Sequence, residues 1–433
     1  MHLTKLAITN VRSITNFTLE LKAEEAPGWH VILGDNGAGK SSVIRSLALI
    51  FSGGPSVSAT RQDWQAWLRA GESRGSVEAT IHRDPELDAY IKTGKQSASM
   101  TVRAELERIG DTIVQNAVGL TFAGSTSTAS RSFWSNAVGW FSASFGPFRR
   151  FTGGDREWDR LFVAPEYRRA ASHLSAFGED VALTEALRWL QQLHVLSLEA
   201  SDDHTSRIRD AVRQFINRSG LLPHGAEIAD ISSQRVTLRD GEGNDVPVEQ
   251  MSDGYRSVLS LTFELIRQMF AVYGPDIALD HIDTEQAVIR LPGVVAIDEI
   301  DAHLHPAWQA RIGDWFLERF PQVQFVVSTH SPIVCRAARR GSIWRLPTPG
   351  TDETAGRVTG LDLERLVSGN ILEALNTEYF GEGIERAPEA AEKLDRIALL
   401  NKRKAVAELG GVEKLELEEL QRQLPTVAAS IAG

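Results

Sequence analysis

Cysteine is almost missing from this chain: Cys335 is the only one in 433 residues. That excludes an internal disulfide and any multi-cysteine metal site, and it fits a reducing cytosol. Excess positive charge is missing too, with 46 Lys and Arg against 57 Asp and Glu, a formal net charge of -11. A protein that coats nucleic acid by bulk charge is thereby excluded, although a local basic groove is not. No uninterrupted apolar run reaches the roughly 18 residues of a membrane span. Met1 to Thr15 alternates polar and apolar residues and lacks the apolar centre of a signal peptide. The expectation is a soluble, cytoplasmic protein with no membrane partner. There is also no internal repeat, and no heptad pattern long enough for a coiled-coil arm. Hydrophobic residues make up 42% of the chain, enough for a sizeable core.

The pattern predicts three strands before a glycine-rich loop. His2 to Thr9 alternates with Leu3, Leu6 and Ile8 apolar, Phe17, Leu19 and Leu21 alternate next, and Trp29 to Leu33 is apolar. A helix from Ser41 to about Leu49 follows, stopped at Ser52-Gly53-Gly54-Pro55. Strand-like pieces then occupy Gly75 to His82, Met100 to Leu106 and Asp111 to Val114, and Ala123 to Ser132 reads as a mobile loop. Five of the ten tryptophans fall between 64 and 158, as in a packed lobe. Leu183, Ala186, Leu187, Leu190 and Leu193 share a helical face, with a second helix over Ile208 to Ile216. Val236 to Leu238 and Val246 to Val248 flank a turn, Tyr255 to Val272 reads as a long helix, and Val294 to Ile297 and Phe325 to Val327 read as buried parallel strands.

Gly34-Asp35-Asn36-Gly37-Ala38-Gly39-Lys40-Ser41 matches G-x-x-x-x-G-K-[ST] in full. Its glycines let backbone N–H groups turn inward around phosphate oxygens, Lys40 reaches the outer phosphates and the Ser41 hydroxyl binds Mg²⁺. The positive end of the next helix faces the same anion. Val294 to Glu299 is an apolar strand ending in two acids, which suits Asp298 to ordering a metal and Glu299 to polarising a water. Phe325 to His330 is a second apolar strand with a polar end, from which His330 can meet a γ-phosphate. Met251-Ser252-Asp253-Gly254 opens the long helix; Ser252 or Asp253 reads as an N-cap or, alternatively, as part of a second phosphate-binding helix start. Arg149, Arg150, Arg156, Arg160, Arg168 and Arg169 form a basic cluster, and Lys402-Arg403-Lys404 another; each reads as a solvated face or a nucleic-acid contact, and Arg149 and Arg150 equally as contacts to nucleotide or as a clamp between lobe and core. Cys335 reads as packing.

The order of these motifs, with Asn10-Val11-Arg12-Ser13-Ile14, Asp298-Glu299-Ile300-Asp301-Ala302-His303-Leu304-His305-Pro306, Thr329-His330-Ser331-Pro332 and Phe145-Gly146-Pro147-Phe148-Arg149-Arg150, resembles the SMC/RecF-like branch of the ABC-type ATPases. Within it the wording is similar to the compact bacterial ATPases related to OLD nucleases and to the ATPase subunits of Septu-type and retron-associated anti-phage systems. The resemblance covers roughly residues 1–345. It implies an α/β fold: an ABC-type P-loop ATPase head over 1–350 with an antiparallel β lobe, an insertion at about 56–225 forming β and helical lobes, and a helical appendage over 351–433.

It further implies ATP and Mg²⁺ as cofactors. Arg12, Asn36, Gly37, Ala38, Gly39, Lys40, Ser41 and Ser42 would bind nucleotide, Ser41 and Asp298 the metal, and Glu299 and His330 would be catalytic. Ser252 and Gly254 would act in trans, across a homodimer that sandwiches ATP, and Ala302 to His305 would form the D-loop along its seam. Higher oligomers and DNA stay open as partners. Two residues depart from the pattern: Asp253 stands where the family's helix start has glycine, and His305 replaces the D-loop aspartate. No Q-loop glutamine stands out, Gln62 and Gln115 being the nearest candidates. The tail shows neither a Toprim-like acidic cluster nor an HNH-type Cys/His pattern, so the expected role is an ATPase regulator working with a separate nuclease or other effector. A DNA-repair ATPase that clamps DNA when ATP-bound is the alternative; the long insertion and His305-Pro306 argue against a transporter.

Overall fold

The computed structural model describes residues 1–91, 96–110, 117–149, 167–178, 185–199, 203–222, 225–375, 388–406 and 409–423, with isolated positions between them. Residues 1–369 pack as one compact unit and 370–433 as another. Among the described residues no helix is long and apolar enough to cross a membrane.

The chain opens with β1 (His2–Val11) and β2 (Ile14–Glu20), an antiparallel hairpin, followed by β3 (Gly28–Leu33). Next come β4 (Arg74–His82), β5 (Ser99–Ile109) and β6 (Ala117–Gly124), completing a five-stranded antiparallel sheet in the order β2-β1-β4-β5-β6. In β4 and β5 buried and part-exposed residues alternate, as a sheet with one face on the core requires. In β1 the buried positions Leu3 and Leu6 are three apart because the register with β4 shifts between Leu3 and Lys5.

The second sheet uses β3 and β7 (Ser142–Phe145); a small antiparallel sheet follows from β8 (Glu227–Ile231), β9 (Val236–Arg239) and β10 (Asp245–Pro247), and β11 (Ile282–Asp283) pairs with β12 (Val288–Ile289). The second sheet then adds β13 (Gly293–Ile297), β14 (Val323–Ser328), β15 (Gly341–Arg345) and β16 (Gly356–Arg357), in the order β16-β15-β3-β14-β13-β7. All its pairings are parallel except β15–β16. Every residue of β3, β13 and β14 is buried, which explains their unbroken apolar runs.

Helix α1 (Lys40–Ser52) packs against strands of both sheets and is buried almost all round. Trp134 closes its far end, its indole N–H donating to the Ile50 carbonyl at 2.7 Å. The inserted region supplies α2 (Glu185–Glu199) and α3 (Asp203–Arg218). Helix α4 (Asp253–Tyr273) precedes β13 in the chain, α5 (Pro306–Arg319) follows it, and α6 (Gly360–Ser368) ends the first unit. The second unit holds the hairpin of α7 (Pro388–Val406) and α8 (Gly411–Gln423), closed over Ile397, Leu400, Leu409 and Leu417.

The expected α/β head with its antiparallel lobe and helical appendage is what the chain forms. Ala123 to Ser132 is not a mobile loop: β6 runs to Gly124, a helical turn follows at Thr126–Ala129, and Ala129 and Ser132 are fully buried. Small side chains there permit close packing, which composition alone mimics as flexibility. Of the tryptophans in this lobe, Trp67 and Trp140 are fully buried. The expected strand at Asp111 to Val114 lies outside the described residues, as does Gln115.

Candidate functional site

Because β3, β14 and β13 are adjacent and parallel, their carboxyl ends share one edge. β3 delivers the loop from Gly34, β13 delivers Asp298-Glu299, and β14, between them, delivers Thr329-His330. Such an edge is where open α/β sheets carry ligands. The packing of Trp29 against Phe316 and Phe325, with ring centroids 6.3 and 5.6 Å away, anchors β3 beneath it.

Gly37 and Gly39 adopt φ of 82° and 108°, which only glycine reaches without strain. A Cβ on Gly39 would lie 2.7 Å from Ile14 Cγ1 and 2.8 Å from Ser13 Oγ, so the β1–β2 turn is packed directly behind the loop. Lys40 is buried, and its ammonium donates to the carbonyls of Gly34 at 2.7 Å and Asp35 at 3.0 Å. Burial lowers its pKa, opposed by the charges of Asp298, Glu299, Asp35 and Asp301. Four carboxylates thus act on the ammonium that is aimed into the loop.

Arg12 sits in the same turn at φ 52°, its guanidinium 5.2 Å from the Trp67 ring centroid. Burial and then the charge of Arg45 pull it down to about 10, and its Nε has no partner among the described residues. A groove of about 570 Å³ opens beside Gly37 and Ala38, between Ser13–Thr18 and the loop Leu346–Ala355 that follows β15. Gln62 is not free to serve this site: it accepts from the Trp67 indole at 3.3 Å and donates to the Thr60 carbonyl at 3.0 Å.

The turn after β13 is held from several sides. The Ser328 hydroxyl donates to Asp298 Oδ1 and accepts from the Glu299 N–H at 2.8 Å. Glu299 adopts φ 46° and His303 φ 64°, left-handed conformations that concentrate at functional turns when the surroundings enforce them. Asp301 Oδ1 accepts from Thr329 Oγ1 at 2.5 Å and from the His330 N–H at 3.3 Å, tying the turn to the exposed His330. Arg149, 4% exposed, donates to the carbonyls of Gly146, Asp298, Glu299 and Ile300. Burial brings its guanidinium down to about 10, so it is still charged at neutral pH.

Ser252 is the N-cap of α4 but makes no side-chain capping bond, and Asp253 pairs instead with Arg256. The expected N-cap at Ser252 thus holds in position but without a side-chain capping bond, and both side chains at this helix start are exposed. Gly254 is required by proximity, since a Cβ there would lie 2.8 Å from the His303 carbonyl oxygen. His305 caps α5 by accepting from the Ala307 N–H at 3.2 Å.

The described members of the first basic cluster, Arg149, Arg168 and Arg169, each donate to main-chain carbonyls. Arg169 is 3% exposed and donates to the carbonyls of Ser135, Ala137, Gly139 and Trp140, and Arg168 donates to that of Ala271. Arg150, Arg156 and Arg160 lie outside the described residues. Lys402, Arg403 and Lys404 are exposed on α7, where Arg403 pairs with Glu413. Cys335 is buried packing, its thiol raised by burial.

The sequence motifs thus converge. Ser328 and the loop Leu346–Ala355 join the site without having been given a role from the sequence, as does Asp301, which was quoted only as part of the motif after β13; a serine-threonine pair ending an apolar strand is the available signal for Ser328, and the loop leaves none. The Ser41 hydroxyl and Asp298 carboxylate are hard oxygen donors of the type Mg²⁺ takes, and a glycine-rich loop running into a helix N-terminus has the chemistry to suit an anion.

Two family models match: "AAA domain, putative AbiEii toxin, Type IV TA system" over residues 148–336 and "AAA domain" over residues 5–193. The Septu protein PtuA of Bacillus mycoides (strain KBAB4) is 23% identical over 97% of this chain and 50% of its own length. The retron Ec83 probable ATPase of Escherichia coli is 35% identical over 25% of this chain and 18% of its own length. The chain thus spans half or less of these relatives. Among solved structures, the Smc head bound to the C-winged helix domain of ScpA aligns with 84% of this chain and 100% of its own, at 15% identity and a TM-score of 0.49.

Proposed function

We propose that this chain, which is similar to the Septu protein PtuA and the retron Ec83 probable ATPase, is an SMC/RecF-like ABC-type ATPase head that binds and hydrolyses ATP with Mg²⁺ as a nucleotide-gated homodimer and regulates a separate nuclease or other effector in anti-phage defence. The observation that carries the reading is the delivery of Lys40, Asp298-Glu299 and His330 to one sheet edge by three adjacent parallel strands.

In this reading Asn36 to Ser42 cradle the phosphates. Lys40 exchanges the Gly34 and Asp35 carbonyls for phosphate oxygens, and Arg12 flanks the nucleotide from the β1–β2 turn. The groove between Ser13–Thr18 and Leu346–Ala355 takes the nucleoside. Ser41 and Asp298 hold Mg²⁺, which when bound neutralises charge on the β- and γ-phosphates. Glu299 accepts a proton from the attacking water as that water meets the γ-phosphate, and His330 hydrogen-bonds the same phosphate. Ser252 and Gly254, at the outward-facing start of α4, complete the site of a second copy.

The defence role rests on the chain's similarity to the Septu protein PtuA and the retron Ec83 probable ATPase. Its test is a native pull-down of the tagged chain expressed with its neighbouring genes. A stoichiometric nuclease or other effector is expected. Recovery of the ATPase alone, or with DNA held only when ATP is present, contradicts the regulatory role.

A further inference from the structure

Three contacts join the start of α4 to the turn after β13 and to α5. Arg149 Nε donates to Ser257 Oγ at 3.3 Å, while its two terminal nitrogens hold the carbonyls of Asp298 at 2.8 Å, Glu299 at 3.0 Å and Ile300 at 3.4 Å. Gly254 lies flat against the His303 carbonyl. One residue further along the helix, the Tyr255 ring meets Trp308 of α5 edge to face, with centroids 6.3 Å apart.

The contact through Arg149 is the informative one. A buried guanidinium must satisfy its donors, and here most of them are spent on main-chain oxygens of a turn whose central residue, Glu299, is in a left-handed conformation. That conformation is strained for any residue with a Cβ and persists only where neighbours impose it. Arg149 imposes it from one side and Ser328 from the other. Of the other two donors, one goes to the Gly146 carbonyl and Nε goes to Ser257, one turn inside the helix whose exposed first residues face outward.

We infer that Arg149 is a positioning residue that couples the Ser252–Gly254 edge to the Glu299 turn of the same chain, so that engagement of that edge by a second copy sets Glu299 for hydrolysis. The inference rests on the proposed nucleotide-gated dimer and adds a route by which each subunit's site senses the other. Movement of α4 by even a fraction of an ångström pulls on Ser257, Gly254 and Tyr255 together. Arg149 transmits the pull to three successive carbonyls, and the left-handed Glu299 is the residue with least freedom to absorb it.

The test is steady-state ATP hydrolysis as a function of ATP concentration for wild type, Arg149→Lys and Ser257→Ala, with nucleotide affinity measured separately by a fluorescent ATP analogue and folding by circular dichroism. Lysine keeps the charge but cannot span Ser257 and three carbonyls. Wild type is expected to respond sigmoidally. Arg149→Lys is expected to lower kcat about tenfold or more with KM and analogue affinity within about threefold, a split that loss of folded protein does not produce. Ser257→Ala cuts only the link to the helix and is expected to bring the Hill coefficient toward one.

A hyperbolic wild-type response, or a folded Arg149→Lys with wild-type kcat, overturns the inference, as does Ser257→Ala with an unchanged Hill coefficient. Should Arg149→Lys not fold, the Ser257 variant decides alone. A wild type that hydrolyses no ATP defeats the underlying reading instead, and the inference falls with it.

Discussion

The hydroxyl of Ser328 donates to the carboxylate of Asp298, and the same oxygen accepts from the main-chain N–H of the next residue, Glu299, at 2.8 Å. One small side chain on β14 therefore orients both acids at the end of β13. Ser328→Ala leaves a buried carboxylate oxygen and a main-chain N–H without these bonds. We predict a kcat about tenfold lower with ATP affinity little changed, and a loss of about 1 kcal/mol or more of stability. Enzyme kinetics and urea unfolding on the same preparation check both.

Gly39→Ala places a methyl 2.7 Å from Ile14 Cγ1 and 2.8 Å from Ser13 Oγ at a φ of 108°. The β1–β2 turn and the phosphate loop must then part. The expected result is loss of measurable ATP binding in a protein that still folds, with stability lowered by about 1–3 kcal/mol. Calorimetric titration with ATP and a thermal melt provide the readouts.

Three histidines held neutral by the fold make a pH prediction. Burial lowers His30 from 6.5 to about 4 and His173 to about 3; His2 is lowered to about 4 by burial and then by the N-terminal charge. Each protonates in the unfolded chain near 6.5, so the unfolded state binds more protons between those values. Stability from these groups is therefore full above about pH 6.5 and is lost as pH drops toward 4. The loss per histidine is at most about 1.4 kcal/mol for each pH unit crossed in that window. Thermal melts from pH 8 to about pH 4 should show Tm declining below about 6.5, and His173→Asn should flatten the slope.

Thr354 lines the groove beside Gly37 and Ala38, is exposed, and stands apart from the hydrogen bonds among Thr348, Thr351 and Glu353 that fold the loop. Thr354→Trp should fill the groove and weaken ATP binding about tenfold, with Tm unchanged. Unaltered affinity for ATP would remove the nucleoside from this groove.

Much of this was legible because strong local signals reinforced one another. Trp29 to Leu33, Val294 to Ile297 and Phe325 to Val327 are apolar throughout because all three strands are buried on both faces, and each ends in residues whose chemistry differs abruptly from the strand. The order of those endings carried the fold. What was not legible was tertiary. Arginines within 21 positions left a solvated face, a nucleic-acid contact and, for Arg149, a clamp onto the core all open, and only the structure shows Arg149 and Arg169 running inward to separate sets of carbonyls. Nothing in a sequence shows which main-chain oxygens lack partners. Ser328 looks like the polar end of a strand, and only the register beside β13 brings it against Asp298. Ser252 looks like a cap because its residue type favours capping, but its hydroxyl makes no such bond.

Hydrolysis of ATP by purified wild type and by Glu299→Gln, with and without Mg²⁺, tests the central claim most directly. The predicted result is Mg²⁺-dependent turnover by wild type and a rate at least about a hundredfold lower for the variant, which should still bind ATP and accumulate as a nucleotide-bound dimer in size-exclusion chromatography. Equal rates for the two proteins, or turnover indifferent to Mg²⁺, would contradict it.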